Sequence, residues 1–154
     1  MNDQSIQKLV TTLVRHGIRD QRILDAFAKV RREQFVSHDL AHVAYDDRPL
    51  PIGEQQTISQ PYVVAWMAEK AELTPESRVL EIGCGSGYAA AILAELADEV
   101  YAIEVREKLA EQAKNRLARL GYDRVHVRCA DGTLGWPEHG PYDAILVSAA
   151  APGV

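Results

Sequence analysis

The stretch Glu81-Ile82-Gly83-Cys84-Gly85-Ser86-Gly87-Tyr88 is the densest run of residues able to do chemistry in this chain. It follows a short apolar run and precedes a helical stripe. It therefore reads as a strand-to-helix turn at the carboxyl end of a strand, where open α/β sheets bind their ligands. Gly83, Gly85 and Gly87 let the backbone turn sharply and approach a bound group, and the free N–H groups of the following helix favour a carboxylate or phosphate. Spacing narrows the ligand. A dinucleotide turn is G-x-G-x-x-G and needs its third glycine where Tyr88 stands, whereas here the pattern is G-x-G-x-G with Glu81 two residues before it. NAD is therefore a poor fit. Glu104 closes the next expected strand, 21 residues after Gly83, where it can accept hydrogen bonds from ribose hydroxyls. The competing reading is a tight turn with an exposed glutamate.

The elements that must carry this turn follow from periodicity. Ile6, Leu9, Val10 and Leu13 fall at helical spacing, and Ile23, Leu24, Phe27 and Val30 make a second stripe, so the chain opens with short helices. Between Tyr45 and Gln60 the close spacing of Asp46, Asp47, Pro49, Pro51 and Gly53 excludes a long helix or a central strand. A helix carrying Val63, Val64, Trp66 and Met67 is expected to start near Ser59. After that, strands at 79–82, 100–105, 125–127 and 144–147 alternate with helical stripes at 89–96 and 109–120, the second ending at Gly121. This alternation predicts an α/β fold with a parallel sheet flanked by helices and an N-terminal helical cap. The expected division is a cap and substrate-side loop over 1–60 and a cofactor-binding core over 61–154, forming one structural unit.

Composition excludes several classes. The 154 residues include 17 Lys+Arg against 22 Asp+Glu, a net charge of −5 with cations scattered rather than striped, so nucleic acid is not an expected partner. A hydrophobic fraction of 47% is ordinary for a globular chain. No apolar stretch approaches the ~18 residues of a membrane span, and no signal-like start is present. Cys84 and Cys129 form no metal-ligand or disulfide pattern, so no metal is expected and a cytoplasmic location is the simpler reading.

The E-x-G-x-G-x-G turn resembles the first motif of Rossmann-like S-adenosylmethionine methyltransferases. The run Pro49-Leu50-Pro51-Ile52-Gly53-Glu54-Gln55-Gln56-Thr57-Ile58-Ser59-Gln60-Pro61-Tyr62 resembles the pre-motif of the protein-L-isoaspartate O-methyltransferase family. Asp131-Gly132-x-x-Gly135-Trp136, then Tyr142-Asp143-Ala144-Ile145-Leu146-Val147 and Ala149-Ala150-Ala151-Pro152, resemble its later motifs. The likeness runs from about residue 5 to the last residue, with the motifs in the family's order. One departure is Glu54, where members often carry a small residue.

The resemblance implies methyl transfer from S-adenosylmethionine to the free carboxylate of an isoaspartyl residue in a damaged protein, leaving S-adenosylhomocysteine and an ester that collapses to a succinimide. A carboxylate is already ionised at pH 7 and a sulfonium is already activated, so no general base is required. His16, His38, His42, His126 and His139 follow no motif and are expected as surface or core residues. The resemblance places Ser59 near the reacting methyl, with Gln56 and Thr57 on the same loop. Glu81 falls near the methionine amino group and Asp131 with Gly132 near the adenine. Plainer roles compete: a helix N-cap for Ser59, a turn for Asp131-Gly132, packing for Trp136. Other readings are a small-molecule methyltransferase and a cofactor-binding module without activity. The family continues with further strands, so the C-terminal strands are expected to be missing, either because the chain is a fragment or because a partner completes the sheet. The apolar run 144–147 would then present an open edge prone to self-association.

Overall fold

Helical spacing in the first third of the chain produces two amphipathic helices, α1 (Asn2–Arg15) and α2 (Gln21–Lys29), in a computed structural model that describes residues 2–149. Asp20 caps α2 by accepting a hydrogen bond from the Arg22 N–H at 2.9 Å, which satisfies one of the orphan donors of the first turn. Leu13 and Phe27 are wholly buried, each contributing roughly 1.5–3 kcal/mol of hydrophobic stabilisation. Two 3₁₀ turns follow at Arg32–Phe35 and His38–Val43.

The proline- and glycine-rich segment folds as a small antiparallel hairpin, β1 (Leu50–Gly53) with β2 (Gln56–Ile58), separate from the main sheet. Its turn residues Glu54 and Gln55 have φ of 53° and 58°. This is the left-handed region that hairpin turns demand and that residues with a Cβ rarely adopt. Helix α3 (Pro61–Lys70) starts at Pro61 rather than near Ser59. The fixed φ of proline suits the first helical position. The Ser59 hydroxyl caps nothing. The Tyr62 N–H is instead taken at 2.9 Å by the Asp47 carboxylate, which also accepts from the Gln60 side chain at 3.2 Å.

The main sheet has β3 (Arg78–Ile82), β4 (Glu99–Glu104), β5 (Val125–Cys129) and β6 (Ala144–Val147), all parallel, in the order β5-β4-β3-β6. Helix α4 (Tyr88–Ala94) links β3 to β4 and α5 (Glu107–Arg119) links β4 to β5. The chain moves outward from β3 on one side and returns to the other side at β6. The carboxyl end of β3 is thus a topological switch point, the crevice where such sheets bind ligands. Val79, Val100, Ala102 and Leu146 point into the larger core, shared with side chains of all five helices. Leu80, Tyr101 and Ile103 point the other way, where Trp136 and Tyr142 cover them. Tyr101 is stacked between the rings of His126 and His139 at 4.8 and 4.4 Å, so these two histidines pack rather than line a site. Among the described residues the outer edge of β6 pairs with no strand, and Ile145 and Val147 are 60% and 51% exposed. Ala150, Ala151 and Pro152 of the last motif lie outside the described residues.

Candidate active site

Beyond Ile82 the backbone leaves the sheet and loops over its end. Gly83 and Cys84 both donate to the Ile103 carbonyl, at 2.7 and 3.1 Å, which pins the turn to the end of β4. The whole turn depends on Gly83. Its φ is +85°, and a Cβ there would lie 2.5 Å from the Ala149 Cβ, so only a residue without a side chain lets the β6 end close over it. Gly87 has φ of +92° and lies under Leu117, 3.1 Å from where a Cβ would be, so its absence of a side chain seats α5 against the start of α4.

Glu104, 5% exposed, braces this cradle from the next strand. One carboxylate oxygen accepts from the Gly85 N–H and the other from the Arg106 N–H, each at 2.9 Å. A carboxylate has about four acceptor positions, so two remain for a ligand. The residue chosen from sequence for a ribose therefore also fixes the shape of the glycine turn.

Glu81, 1% exposed, lines the same cavity from the end of β3. Its Oε2 accepts a hydrogen bond from the Ser148 hydroxyl at 2.9 Å, and its Oε1 is buried with no hydrogen-bond partner. Burial raises its pKa to about 7, helped by the nearby Glu104 charge and opposed by the Ser148 hydrogen bond. A buried carboxylate oxygen left unpaired is costly unless a cation or donor completes it. It is therefore an acceptor waiting for a positively charged group.

The cavity between these carboxylates holds about 270 Å³. Gln56, Thr57 and Ser59 line one wall, and Glu81, Gly83, Gly85 and Glu104 the other. Seven of the residues expected at the site are thus brought together. Gly87, Asp131 and Gly132 do not line this cavity. Asp131 stands beyond β5, capping a 3₁₀ turn at Gly132–Leu134 by accepting from the Thr133 N–H and hydroxyl at 2.9 and 2.8 Å. Gly132 packs on Ile82, which a Cβ would meet at 2.5 Å.

Three further residues shape the site. Ser148 orients Glu81, and its place just past the end of a parallel strand is the signal that marks it in the sequence. Arg32 and Asp47 hold the segment around Ser59, with Arg32 donating to the Ser59 carbonyl at 3.2 Å. They carry no local signal, because they act across 27 residues of chain for Arg32 and 13 and 15 for Asp47.

Comparison with known proteins agrees with this geometry. The family model for protein-L-isoaspartate(D-aspartate) O-methyltransferase matches residues 4–154. A protein-L-isoaspartate O-methyltransferase of Synechococcus sp. (strain JA-2-3B'a(2-13)) is 60% identical over 151 residues, covering 98% of this chain and 62% of that protein. One from Marinobacter nauticus is 58% identical, covering 92% of this chain and 65% of the relative. This chain thus spans a little under two thirds of the length of these relatives. A solved protein-L-isoaspartate O-methyltransferase superposes with a TM-score of 0.84 at 37% identity, over 93% of this chain and 47% of that one. A Plasmodium falciparum structure in complex with S-adenosyl-L-homocysteine superposes at 0.79 over 96% of this chain and 74% of its own, and at 24% identity it speaks to the fold alone. On the match of its sequence from residue 4 onward, this chain belongs to the protein-L-isoaspartate(D-aspartate) O-methyltransferase family.

Proposed function

We propose that the chain carries the cofactor cradle and the acceptor-side segment of an S-adenosylmethionine-dependent methyltransferase acting on the free carboxylate of isoaspartyl residues in proteins. The observation that carries this reading is the shared cavity. It joins an unpaired buried carboxylate oxygen, a glycine cradle braced by Glu104 and the Ser59 segment within one space. The residues fit the cofactor: the Glu81 Oε1 suits its ammonium group, and the remaining acceptor positions of Glu104 suit ribose hydroxyls. Asp131, which follows the strand paired with the end of β4, and Gly132, packed on Ile82, are assigned to the adenine edge in this reading. When bound, S-adenosylmethionine supplies a methyl group on an already activated sulfonium.

This chain's residues then have to align and exclude water. Ser59 lines the cavity, and its hydroxyl is not used as a cap, so it is free to donate to one oxygen of the substrate carboxylate and aim the other at the methyl carbon. Because the acceptor would arrive as a carboxylate and the leaving group would be a neutral sulfide, these residues would need to move no proton, only to hold the oxygen in line. Alignment of this kind supplies ~7 kcal/mol or more. Among the described residues that line the cavity there is no histidine.

No helix of the described residues is long and apolar enough to cross a membrane. A cytoplasmic location belongs to the same reading and is supported by the free thiols at Cys84 and Cys129. The open side of β6, with Ile145 and Val147 exposed, supports pairing of that edge with another strand, a second copy included. Methyl transfer from labelled S-adenosylmethionine to an isoaspartyl peptide, against the same peptide with normal aspartate, tests the proposal. Labelling of the isoaspartyl peptide alone is the expected result. Labelling of neither peptide, or of both equally, overturns the substrate assignment.

A further inference from the structure

Arg32 has no exposed surface, yet it is a guanidinium in the middle of a hydrophobic core. Burial is the main influence on it and weakens its hold on its proton. Its hydrogen bonds go to backbone carbonyls from two separate places: Nη1 to Ser59 and Nη2 to Arg48, both at 3.2 Å. Its charged carbon lies 4.8 Å from the centre of the Tyr88 ring, and Tyr88 is the first residue of α4, directly after the glycine cradle. One buried fork therefore joins both ends of the segment that carries the hairpin and Ser59 to the helix that carries the cradle. A desolvated cation is a costly way to fill a core, and an apolar side chain of similar volume would serve stability as well or better. Its geometry accounts for its presence: a planar fork reaches two carbonyls while its face rests on a ring, which neither Lys nor Met can do.

We propose that Arg32 is a positioning residue for methyl transfer, fixing the Ser59 hydroxyl over the cofactor cradle by tying the Ser59 and Arg48 carbonyls to the Tyr88 ring. The proposal rests on the role given to Ser59 above. Asp47 assists by holding the Gln60 side chain and the Tyr62 N–H, so the chain from the Ser59 carbonyl to the Tyr62 amide is clamped.

The test uses Arg32→Met and Arg32→Lys, each alone and combined with Ser59→Ala, in the full chain. S-adenosylhomocysteine affinity, read by calorimetry, is expected to stay within about threefold of the parent, because Arg32 does not line the cavity. Single-turnover methyl transfer to an isoaspartyl peptide is expected to fall about tenfold in Arg32→Met and about threefold in Arg32→Lys, neither loss exceeding that of Ser59→Ala. In the Ser59→Ala background the further loss is expected to be less than about twofold, since a residue acting through Ser59 has nothing left to position. Equal losses with and without Ser59, or loss of S-adenosylhomocysteine binding together with activity, would make Arg32 a general scaffold residue and overturn the proposal. A readout without turnover separates this from failure of the functional assignment: hydrogen exchange of the 56–60 amides. In the parent, S-adenosylhomocysteine is expected to slow their exchange. In both Arg32 variants it binds without slowing it. Protection retained in the variants refutes the tie, and protection lost supports it, even if the parent transfers no methyl group to isoaspartate.

Discussion

The cavity has two walls built on different physical terms. The cradle wall, Glu81 to Gly87, is held by backbone: glycines in conformations other residues avoid, amides donating to the Ile103 carbonyl, and a strand-end carboxylate accepting from the Gly85 N–H. The facing wall, Gln56 to Ser59, belongs to a hairpin outside the main sheet and is held by the side chains of Arg32 and Asp47. Its own turn is in a strained conformation at Glu54 and Gln55. A wall that must present fixed amides and charges to a cofactor is written into the strand ends. On the proposed reading, the wall that meets a variable protein substrate hangs on a few distant clamps. Changes to the first wall should therefore register in cofactor affinity, and changes to the second in turnover.

The largest effect is expected from Glu104→Ala. It removes the charge-assisted hydrogen bonds from the Gly85 and Arg106 N–H groups as well as the acceptors proposed for the ribose, each worth roughly 1.5–3 kcal/mol. Affinity for S-adenosylhomocysteine should drop about a hundredfold or more, and thermal stability should fall with it. Unchanged affinity would return Glu104 to a purely structural bracing role. Ser59→Ala gives the converse pattern: turnover down about tenfold to a hundredfold from loss of one hydrogen bond to a charged group, with S-adenosylhomocysteine affinity hardly altered. If the affinity falls instead, the two walls do not divide the work.

Glu81 sharpens the comparison through pH. Its folded pKa is raised to about 7 by burial, above its ordinary value near 4.5. The folded chain therefore holds a proton that the unfolded chain has already lost, and stability declines as pH rises between those two values. A Glu81→Gln variant, which cannot titrate, should gain stability relative to the parent as pH rises from about 5 to 8, as read by thermal melts. A gap that does not vary with pH would mean that Glu81 is solvated. The smallest effect is expected at the hairpin turn. Gln55→Gly relieves a left-handed residue that points its strain at no partner, and should stabilise by about 1 kcal/mol without changing cofactor affinity. A loss of stability there would show that the turn is not strained.

The cradle wall was legible because its signals are local. A glycine spacing, an acid two residues ahead and a second acid at the next strand end all survive as pattern. The parallel order of the sheet followed from the alternation of strands and helical stripes. The acceptor wall was legible only as a likeness to a family motif. Ser59 reads equally well as an N-cap until Asp47, 15 residues upstream of Tyr62, is seen to do the capping. Arg32 gives no warning, since the second of two adjacent arginines in a polar turn looks exposed and is in fact wholly buried. The hairpin at 50–58 hides in a segment whose prolines and positive-φ turn read as loop.

The proposed reading makes the cavity a preformed cradle for an adenosyl cofactor whose cationic end meets Glu81. It is tested most directly by calorimetric titration of the chain with S-adenosylhomocysteine at pH 6 and pH 8, beside NAD and beside Glu81→Gln. Saturable S-adenosylhomocysteine binding is expected that tightens from the lower pH to the higher as Glu81 loses its proton, with weaker and pH-indifferent binding in the variant and no binding of NAD. Saturable NAD binding without any response to S-adenosylhomocysteine, or an affinity that ignores both pH and the loss of Glu81, would contradict it.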